Sequence, residues 1–261
     1  GLIKEVLVPQ PAALEELKLV HTSLYLSDFL GGRHTPRTWS SELPLDADIA
    51  RAFTLAAGGS ILAARKALET GGVVMNVGGG FHHAFPDHAE GFCYLNDVAI
   101  AVRAMLAEGR IRKAAVIDCD LHQGNGTAFI FRDEPDVFTF SIHEENLYPA
   151  KQRSDIDVGL PSFAGDDVYL PPLRQYIPLI IETHRPDLVI YVAGADPYAG
   201  DVLGTLQLSM EGLAERDRIV LGTCREARIP IAVVLAGGYA AETADTVAIH
   251  VNTYKVAASL S

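Results

Sequence analysis

Apolar residues fall into alternating helix-like and strand-like segments from about residue 46 onward. Apolar residues at helical spacing predict helices, and short apolar runs between them predict buried strands. The predicted helices are residues 46–70, 94–108, 169–184, 210–227 and 243–260, and the predicted strands are residues 73–77, 114–117, 137–142, 188–193 and 229–235. The stretch that follows the 137–142 strand, up to about Asp167, is predicted to be irregular.

Buried strands separated by helices are typical of an α/β fold with a mainly parallel central sheet and helices on both faces. No internal repeat or low-complexity linker interrupts the chain, so we predict a single domain over residues 1–261. Because the chain starts at Gly1 rather than Met, we also expect a missing or processed N-terminal segment. Ligands of such sheets bind at the loops that leave the carboxyl ends of the strands.

Composition and charge narrow the range of partners. Hydrophobic residues make up 49% and charged residues 21%, which allows a sizeable core. The net charge of −12 argues against nucleic acid and favours cationic ligands such as lysine-rich peptides or polyamines. No run of eighteen apolar residues and no signal pattern is present, so we expect no membrane contact. The 3 cysteines form no CxxC pair, which indicates a reducing, cytoplasmic location.

Acidic and histidine residues follow two of the predicted strands. Asp120 and His122 are two positions apart, so an extended backbone would direct both side chains the same way. With Asp196 they would supply two carboxylates and one imidazole, a set that leaves coordination positions open, as in catalytic metal sites. The same spacing is equally consistent with Asp118 and Asp120 capping the next helix. Both alternatives remain open at this point.

Histidine and tyrosine residues follow two glycine-rich strand ends. His82 and His83 come after three glycines and could act as general base or acid, or form a solvated loop pair. Tyr239 follows two glycines and could donate to a developing oxyanion, or pack over a turn. Phe92 and Tyr148 could line an apolar slot. The triple glycine lacks the G-x-G-x-x-G spacing of nucleotide-binding loops.

Taken together, these strings resemble the zinc-dependent histone deacetylase family, with related bacterial acetoin-utilisation proteins and acetylpolyamine amidohydrolases. The resemblance extends from about His21 to the C-terminus and implies the arginase/deacetylase fold. The strings that carry it, in the family's order, are Gly78-Gly79-Gly80-Phe81-His82-His83, Gly91-Phe92-Cys93-Tyr94-Leu95-Asn96-Asp97, Asp118-x-Asp120-x-His122-x-Gly124-x-Gly126, Gly194-Ala195-Asp196 and Gly237-Gly238-Tyr239. Gln123, Asn125 and the first string look like the class IV branch and its bacterial members.

The resemblance also implies roles for individual residues. It implies that Asp120, His122 and Asp196 bind Zn²⁺, although Fe(II) or Co(II) could occupy the same ligands. It implies that His82 pairs with Asp118 and His83 with Asn125, and that Tyr239 polarises the acyl carbonyl. The implied walls and rim of the substrate tunnel are Gly91, Phe92, Tyr148 and Leu203. A K⁺ or Na⁺ site is implied at Asp118, Asp120, His122, Ser141 and Ile142.

The implied activity is hydrolysis of the amide of acyl-lysine, in a protein or peptide, by metal-activated water. The acyl group is either acetyl or a longer fatty chain. Three alternatives remain: an acetylpolyamine amidohydrolase, a catalytically silent acyl-lysine binder, and an arginase-like ureohydrolase. The last is disfavoured, because the strings lack the additional Asp and His ligands of a two-manganese site. The rim aspartate of some family members has no assignable counterpart in the sequence, and no pattern indicates an oligomeric state.

Overall fold

The computed structural model describes residues 3–260, so Gly1, on which the N-terminal prediction depends, lies outside the described residues. Within that range the chain forms six strands and nine helices. The strands are β1 (Val73–Asn76), β2 (Ala114–Asp118), β3 (Val137–Glu144), β4 (Ile156–Leu160), β5 (Leu188–Val192) and β6 (Ile231–Val234). The helices are α1 (Leu14–Leu17), α2 (Ser23–Leu30), α3 (Pro36–Trp39), α4 (Ala47–Thr70), α5 (Asp97–Ala107), α6 (Asn125–Phe131), α7 (Asp166–His184), α8 (Met210–Glu226) and α9 (Thr243–Ser259).

All six strands belong to one sheet with the order β1-β6-β5-β2-β3-β4, and every pair of neighbours is parallel. Two hydrophobic cores lie on its two faces. In β6, Ala232 and Val234 pack in the core that contains α4 and α5, whereas Ile231 and Val233 pack in the core that contains α7, α8 and α9. Strands covered on both faces are apolar throughout, which explains the short apolar runs. The predicted α/β fold is therefore confirmed.

Four neighbouring strands end at the same level of the sheet. Asn76 of β1 pairs with Val234 of β6, Val234 with Val192 of β5, and Val192 with Asp118 of β2. The loops that leave these strands therefore start at one edge, the edge where ligands bind in open parallel sheets. This shared edge brings together polar residues that are far apart in the sequence.

The edge strand β4 contradicts the prediction that the stretch before Asp167 is irregular throughout. Its residues alternate between half-buried and exposed positions before the buried Leu160, because one face packs on the core and the other meets solvent. Asp157 and Gly159 are both disfavoured in strands, so propensity concealed the strand in the sequence.

Two of the helices in the middle of the chain also differ from prediction. The helix predicted to start at Tyr94 begins at Asp97, because the side chain of Asn96 caps it by accepting a hydrogen bond from the backbone N–H of Ala99 at 2.9 Å. Helix α6 was not predicted, since its seven residues are too few to establish a helical period.

Helix α4 is apolar enough to need an explanation. Among residues 3–260 it alone has the length and hydropathy to cross a membrane, with 24 residues and a mean hydropathy of 1.2 over its most apolar window. That window is 56% buried inside the protein. The helix packs against α5, β1 and β6, and Ile61 and Ala64 lie in the core. The packing therefore accounts for its apolar residues as those of a core helix.

Candidate active site

Asp120, His122 and Asp196 form one buried group whose candidate ligand atoms all lie within 4.8 Å of one another. Asp120 and His122 are in the loop after β2, and Asp196 is in the loop after the adjacent strand β5. Across residues 3–260, no other set of three or more His, Cys, Asp and Glu side chains is close enough to hold a metal ion.

Two features of this group fit a divalent cation. The Oδ2 atom of Asp196 is buried and accepts no hydrogen bond, so its lone pairs are available to a bound ion. His122 Nδ1 lies 3.3 Å from Asp120 Oδ1 and 3.3 Å from Asp196 Oδ2. Although burial opposes charge on the ring, these two carboxylates raise the pKa of His122 to about 10. The group therefore attracts positive charge, and its N and O ligands are among those that zinc takes.

Backbone N–H groups hold both carboxylates in place. Asp120 accepts hydrogen bonds from the N–H of Gly237 at 3.0 Å and of His122 at 2.9 Å, and Asp196 accepts one from Leu121 at 3.0 Å. A Cβ at Gly237 would collide with both carboxylates, so this position requires glycine. These contacts orient the candidate ligands before any ion binds.

The alternative in which Asp118 and Asp120 cap the next helix is wrong. Helix α6 has Gly124 at its N-cap and no side-chain cap. Asp118 instead uses Oδ2 to contact His82 Nδ1 at 2.7 Å and Oδ1 to accept the N–H of Asp120 at 3.1 Å.

His82 and His83 lie beside the candidate metal group, each with its own polar partner. His82 Nδ1 is 2.7 Å from Asp118 Oδ2, and His83 Nδ1 is 2.8 Å from Asn125 Oδ1. Their Nε2 atoms are 3.1 Å apart. Because His82 is 4% exposed and His83 is 5% exposed, the alternative of a solvated loop pair is wrong.

The two histidines differ in charge. Burial disfavours the charged form of His82, but Asp118 and Asp120 raise its pKa to about 9. Burial and the positive charge of His82 hold the pKa of His83 well below its ordinary value, since its partner Asn125 is uncharged. A neutral and a protonated imidazole therefore face each other. A divalent cation nearby would lower both pKa values.

A cavity of about 270 Å³ contains the candidate chemistry. Ten of the residues singled out in the sequence line it: His82, His83, Gly91, Phe92, Asp120, His122, Tyr148, Asp196, Leu203 and Tyr239. Asp118 and Asn125 contact the histidines without lining the cavity. A wider groove of about 1090 Å³ lies at the opposite, amino ends of the strands, and none of the predicted site residues lines it.

Tyr239 lies at the mouth of this cavity and is 36% exposed. Its ring centroid is 6.0 Å from that of Phe92, and its backbone N–H donates to Asp201 Oδ2 at 2.6 Å. Burial, followed by the nearby carboxylates of Asp120 and Asp196, raises the pKa of Tyr239. The phenol therefore keeps its proton at neutral pH and can donate a hydrogen bond into the cavity.

Several site residues were missed in the sequence. Glu42 and Leu147 line the cavity, and Asp201 joins two of its loops by accepting from the N–H groups of Leu203 and Tyr239. No local pattern marks these residues, because their roles depend on loops that meet only in the folded chain.

Two further buried side chains, Asp97 and Arg216, hold the loops that carry the site residues. Asp97 Oδ1 accepts from the N–H of Gly80 at 3.0 Å and of Phe81 at 2.7 Å, which holds the glycine loop before the histidines. The fully buried Arg216 donates from Nη1 to the carbonyl oxygens of Cys119 at 3.2 Å and Gly194 at 2.5 Å. Arg216 thereby joins the two loops that carry the candidate ligands. Asp97 lay inside a string noted in the sequence, whereas Arg216 carried no signal.

The expected K⁺ or Na⁺ site remains a prediction. Asp118 and Ser141 pair on the neighbouring strands β2 and β3, which places them side by side. Ser141 Oγ contacts His143 Nδ1 at 2.9 Å, and Ile142 lies in the core.

Sequence comparisons relate the chain to histone deacetylases and similar proteins. A sequence profile of the histone deacetylase domain matches residues 1–254. An uncharacterized protein of Picosynechococcus sp. is 44% identical over 96% of this chain and 84% of its own length. Histone deacetylase 2 of Arabidopsis thaliana is 31% identical over 94% of this chain and 66% of its own length. Acetoin utilization protein AcuC of Bacillus subtilis is 30% identical over 82% of this chain and 61% of its own length.

A solved structure agrees with these sequence matches. The crystal structure of an HDAC homolog complexed with SAHA superposes with a TM-score of 0.85 at 25% identity, over 98% of this chain and 73% of that one. In sequence, the chain spans less than two thirds of the length of the Arabidopsis and Bacillus relatives. Because the profile covers almost the whole chain and the fold agrees, this protein belongs to the histone deacetylase family of deacetylases and amidohydrolases.

Proposed function

We propose that the chain hydrolyses the amide bond of an acylated lysine side chain, with Zn²⁺ at Asp120, His122 and Asp196. One observation carries the proposal: the candidate ligands, the tandem histidines and Tyr239 all line one cavity of about 270 Å³. Amide hydrolysis needs a polarised carbonyl, an activated water, a proton donor and a proton acceptor. This cavity offers side chains suited to each.

The metal fits the residues that are present. The orphaned Asp196 Oδ2 and the carboxylate-flanked ring of His122 supply a site for positive charge. A zinc ion bound there supplies Lewis-acid chemistry, which activates water and polarises a carbonyl. Fe(II) and Co(II) accept the same ligands, so the metal is part of the proposal.

The chain's own residues move the protons. His83, kept neutral by burial and by the charge on His82, is the acceptor for the proton of the attacking water. His82 is stabilised in its protonated form by Asp118 and supplies positive charge beside the reacting atoms. Either histidine can deliver a proton to the leaving amine.

Tyr239 and the cavity walls position the substrate. The protonated phenol of Tyr239 donates to the oxygen of the acyl carbonyl as negative charge develops on it. Phe92 and Tyr148, 37% and 44% exposed, provide aromatic walls for the apolar stem of lysine, and Leu203 forms part of the rim. The exposed carboxylate of Glu42 also lines the cavity and favours a cationic substrate, which keeps acylated polyamines as a second candidate. A class IV assignment, a bound K⁺ or Na⁺ and a cytoplasmic location belong to the same proposal.

A substrate panel tests the proposal. Zinc-loaded protein is incubated with lysine peptides that carry acetyl to myristoyl groups, and with acetylated polyamines, and released amine is measured. Asp196→Ala serves as the control, because it removes one candidate ligand. We expect metal-dependent release by the wild type alone, and the preferred chain length would report the depth of the cavity. Metal binding at full occupancy without turnover of any substrate would instead identify a silent acyl-lysine binder.

A further inference from the structure

Glu90 lies just outside the cavity and is joined to it from two sides. Its Oε1 atom accepts hydrogen bonds from Asn125 Nδ2 at 2.8 Å and from the hydroxyl of Tyr148 at 3.1 Å. Glu90 and Cys93 close a tight turn with two backbone hydrogen bonds. The N–H of Glu90 donates to the carbonyl of Cys93 at 3.1 Å, and the N–H of Cys93 donates to the carbonyl of Glu90 at 2.9 Å. The side chain is 23% exposed. Glu90 is therefore held in a defined position behind the cavity wall.

The residue that follows Glu90 packs the turn against the site. Gly91 has a φ of +49°, and a Cβ there would lie 2.7 Å from both His83 Cδ2 and the hydroxyl oxygen of Tyr148. The turn thus touches the rings of His83 and Tyr148 directly. A shift of the turn would be transmitted to both.

The contact with Glu90 decides which way the amide of Asn125 points. An ionised carboxylate only accepts hydrogen bonds, so Asn125 must direct its NH₂ group towards Glu90. Its Oδ1 then faces His83 Nδ1 at 2.8 Å. Because an amide oxygen also only accepts, His83 must carry its proton on Nδ1. The Nε2 atom of neutral His83 then carries its lone pair and faces His82 Nε2 at 3.1 Å, from which it can accept a hydrogen bond.

The charge on Glu90 is consistent with this arrangement. Burial favours its protonated form, but hydrogen bonds from His88, Asn125 and Tyr148 lower its pKa below the ordinary value. Without an acceptor at this position, the amide of Asn125 could turn over. It would then donate to His83 Nδ1, so that the imidazole proton moves to Nε2 and the lone pair is lost from the cavity side.

We propose that Glu90 is a positioning residue that, through the amide of Asn125, holds His83 in the tautomer whose Nε2 can accept a proton. The assignment rests on the proposed function for its catalytic consequence, since only hydrolysis needs that lone pair. The tautomer itself is a property of the folded chain, and it can be measured without turnover.

Three variants and one control separate this role from simple structural support. Glu90→Met removes the acceptor at nearly constant volume. Asn125→Asp places two carboxylates against each other. The double variant Glu90→Gln/Asn125→Asp exchanges donor and acceptor, so that an amide again faces a carboxylate and His83 Nδ1 again faces an oxygen. Asp87→Asn removes an exposed charge from the same loop but keeps the acceptor at Glu90, since Asp87 contacts the neighbouring His88, whose Nε2 lies 3.7 Å from Glu90 Oε2.

The primary readout is the ¹⁵N chemical shifts of the His83 ring nitrogens in zinc-loaded protein, which report directly which nitrogen carries the proton. The second readout is kcat and KM on the preferred acyl peptide. A hydrogen bond to a charged group stabilises by an amount that corresponds to roughly a 10- to 100-fold effect. We therefore expect Glu90→Met to lower kcat by about 10-fold or more while KM changes far less, since the tautomer acts on the chemical step.

The expected pattern is a mixture of His83 tautomers in Glu90→Met and a protonated Nδ1 in the wild type, in Asp87→Asn and in the double variant. The kcat of the double variant should exceed that of either single variant, a sign of direct coupling. A single, unchanged tautomer in Glu90→Met would overturn the proposal, as would a folded double variant that does not regain it. A wild type without turnover would defeat the proposed function, whereas the ring-nitrogen shifts would still decide the role of Glu90.

Discussion

Zinc binding to the group of Asp120, His122 and Asp196 should strengthen as pH rises, because the ion must displace a proton. His122 Nδ1 lies 3.3 Å from a carboxylate oxygen of each aspartate. Burial disfavours a charged ring, but these contacts raise the pKa of His122 to about 10. An imidazole nitrogen binds a metal only after it has lost its proton. Raising the pH therefore removes the competitor of the metal.

The magnitude follows from the position of this pKa. Between pH 6 and pH 8 the metal-free protein holds the proton of His122, since both values lie below about 10. One proton released per ion changes the association constant about tenfold per pH unit, or about 1.4 kcal/mol. The His122 proton alone therefore makes the affinity rise about 100-fold from pH 6 to pH 8. Burial and Asp120 raise the pKa of Asp196 to about 7, so zinc displaces a second proton below that pH and the total rise exceeds about 100-fold.

Isothermal titration calorimetry measures both the affinity and the number of protons. Metal-free protein is titrated with zinc at pH 6, 7 and 8, in pairs of buffers with different enthalpies of ionisation. The difference in heat between the two buffers counts the protons released on binding. A competing chelator of known pH dependence keeps the affinity in a measurable range and serves as the reference.

An affinity that is independent of pH, together with heats that are independent of buffer, would refute this reasoning. That result would mean that His122 is already neutral in the metal-free protein. The carboxylates of Asp120 and Asp196 would then not keep His122 protonated in the metal-free protein.

Three other perturbations have defined outcomes. Tyr239→Phe should lower kcat by about 100- to 1,000-fold with little change in KM, because its hydroxyl acts on the developing oxyanion; steady-state kinetics measures both. Gly80→Ala should destabilise the fold by about 2–4 kcal/mol in urea unfolding, since Gly80 has a φ of +95° and a Cβ would lie 2.6 to 2.8 Å from atoms of Ala236. Stability should fall as pH drops from 6.5 towards 4, because burial lowers the pKa of His21 to about 4 while the unfolded chain protonates near 6.5. That difference corresponds to roughly 3 kcal/mol, measured by urea unfolding across this interval.

Each of these three predictions can be contradicted by a specific result. Full activity of Tyr239→Phe on every acyl substrate would remove the phenol from the proposed mechanism. Unchanged stability of Gly80→Ala would show that the loop relaxes around a side chain. His21→Leu is the control for the acid effect, since other buried histidines also titrate. The wild type should lose more stability than the variant as the pH falls from 6.5 to 4. Equal losses would contradict the role given to His21.

The positions of most elements could be predicted from the sequence because strands covered on both faces leave short apolar runs, and amphipathic helices leave a regular period. The exceptions have local causes. Strand β4 combines half-exposed positions with residues that disfavour strands, and α6 is too short to show a period. The candidate ligands, the histidines and Tyr239 could also be identified in the sequence, since each follows a strand in a recognisable string.

The sequence by itself therefore determined the α/β class, the family and the residues that carry the candidate chemistry. The tertiary structure alone decided how those residues are paired, because contacts such as Glu90 with Asn125 and Arg216 with Cys119 join loops far apart in the chain. It also decided between the open alternatives, by showing Asp118 against His82 rather than capping α6. The physical reason is that strand patterns are local, whereas charge, tautomer and ligand geometry depend on which loops meet at the end of the sheet.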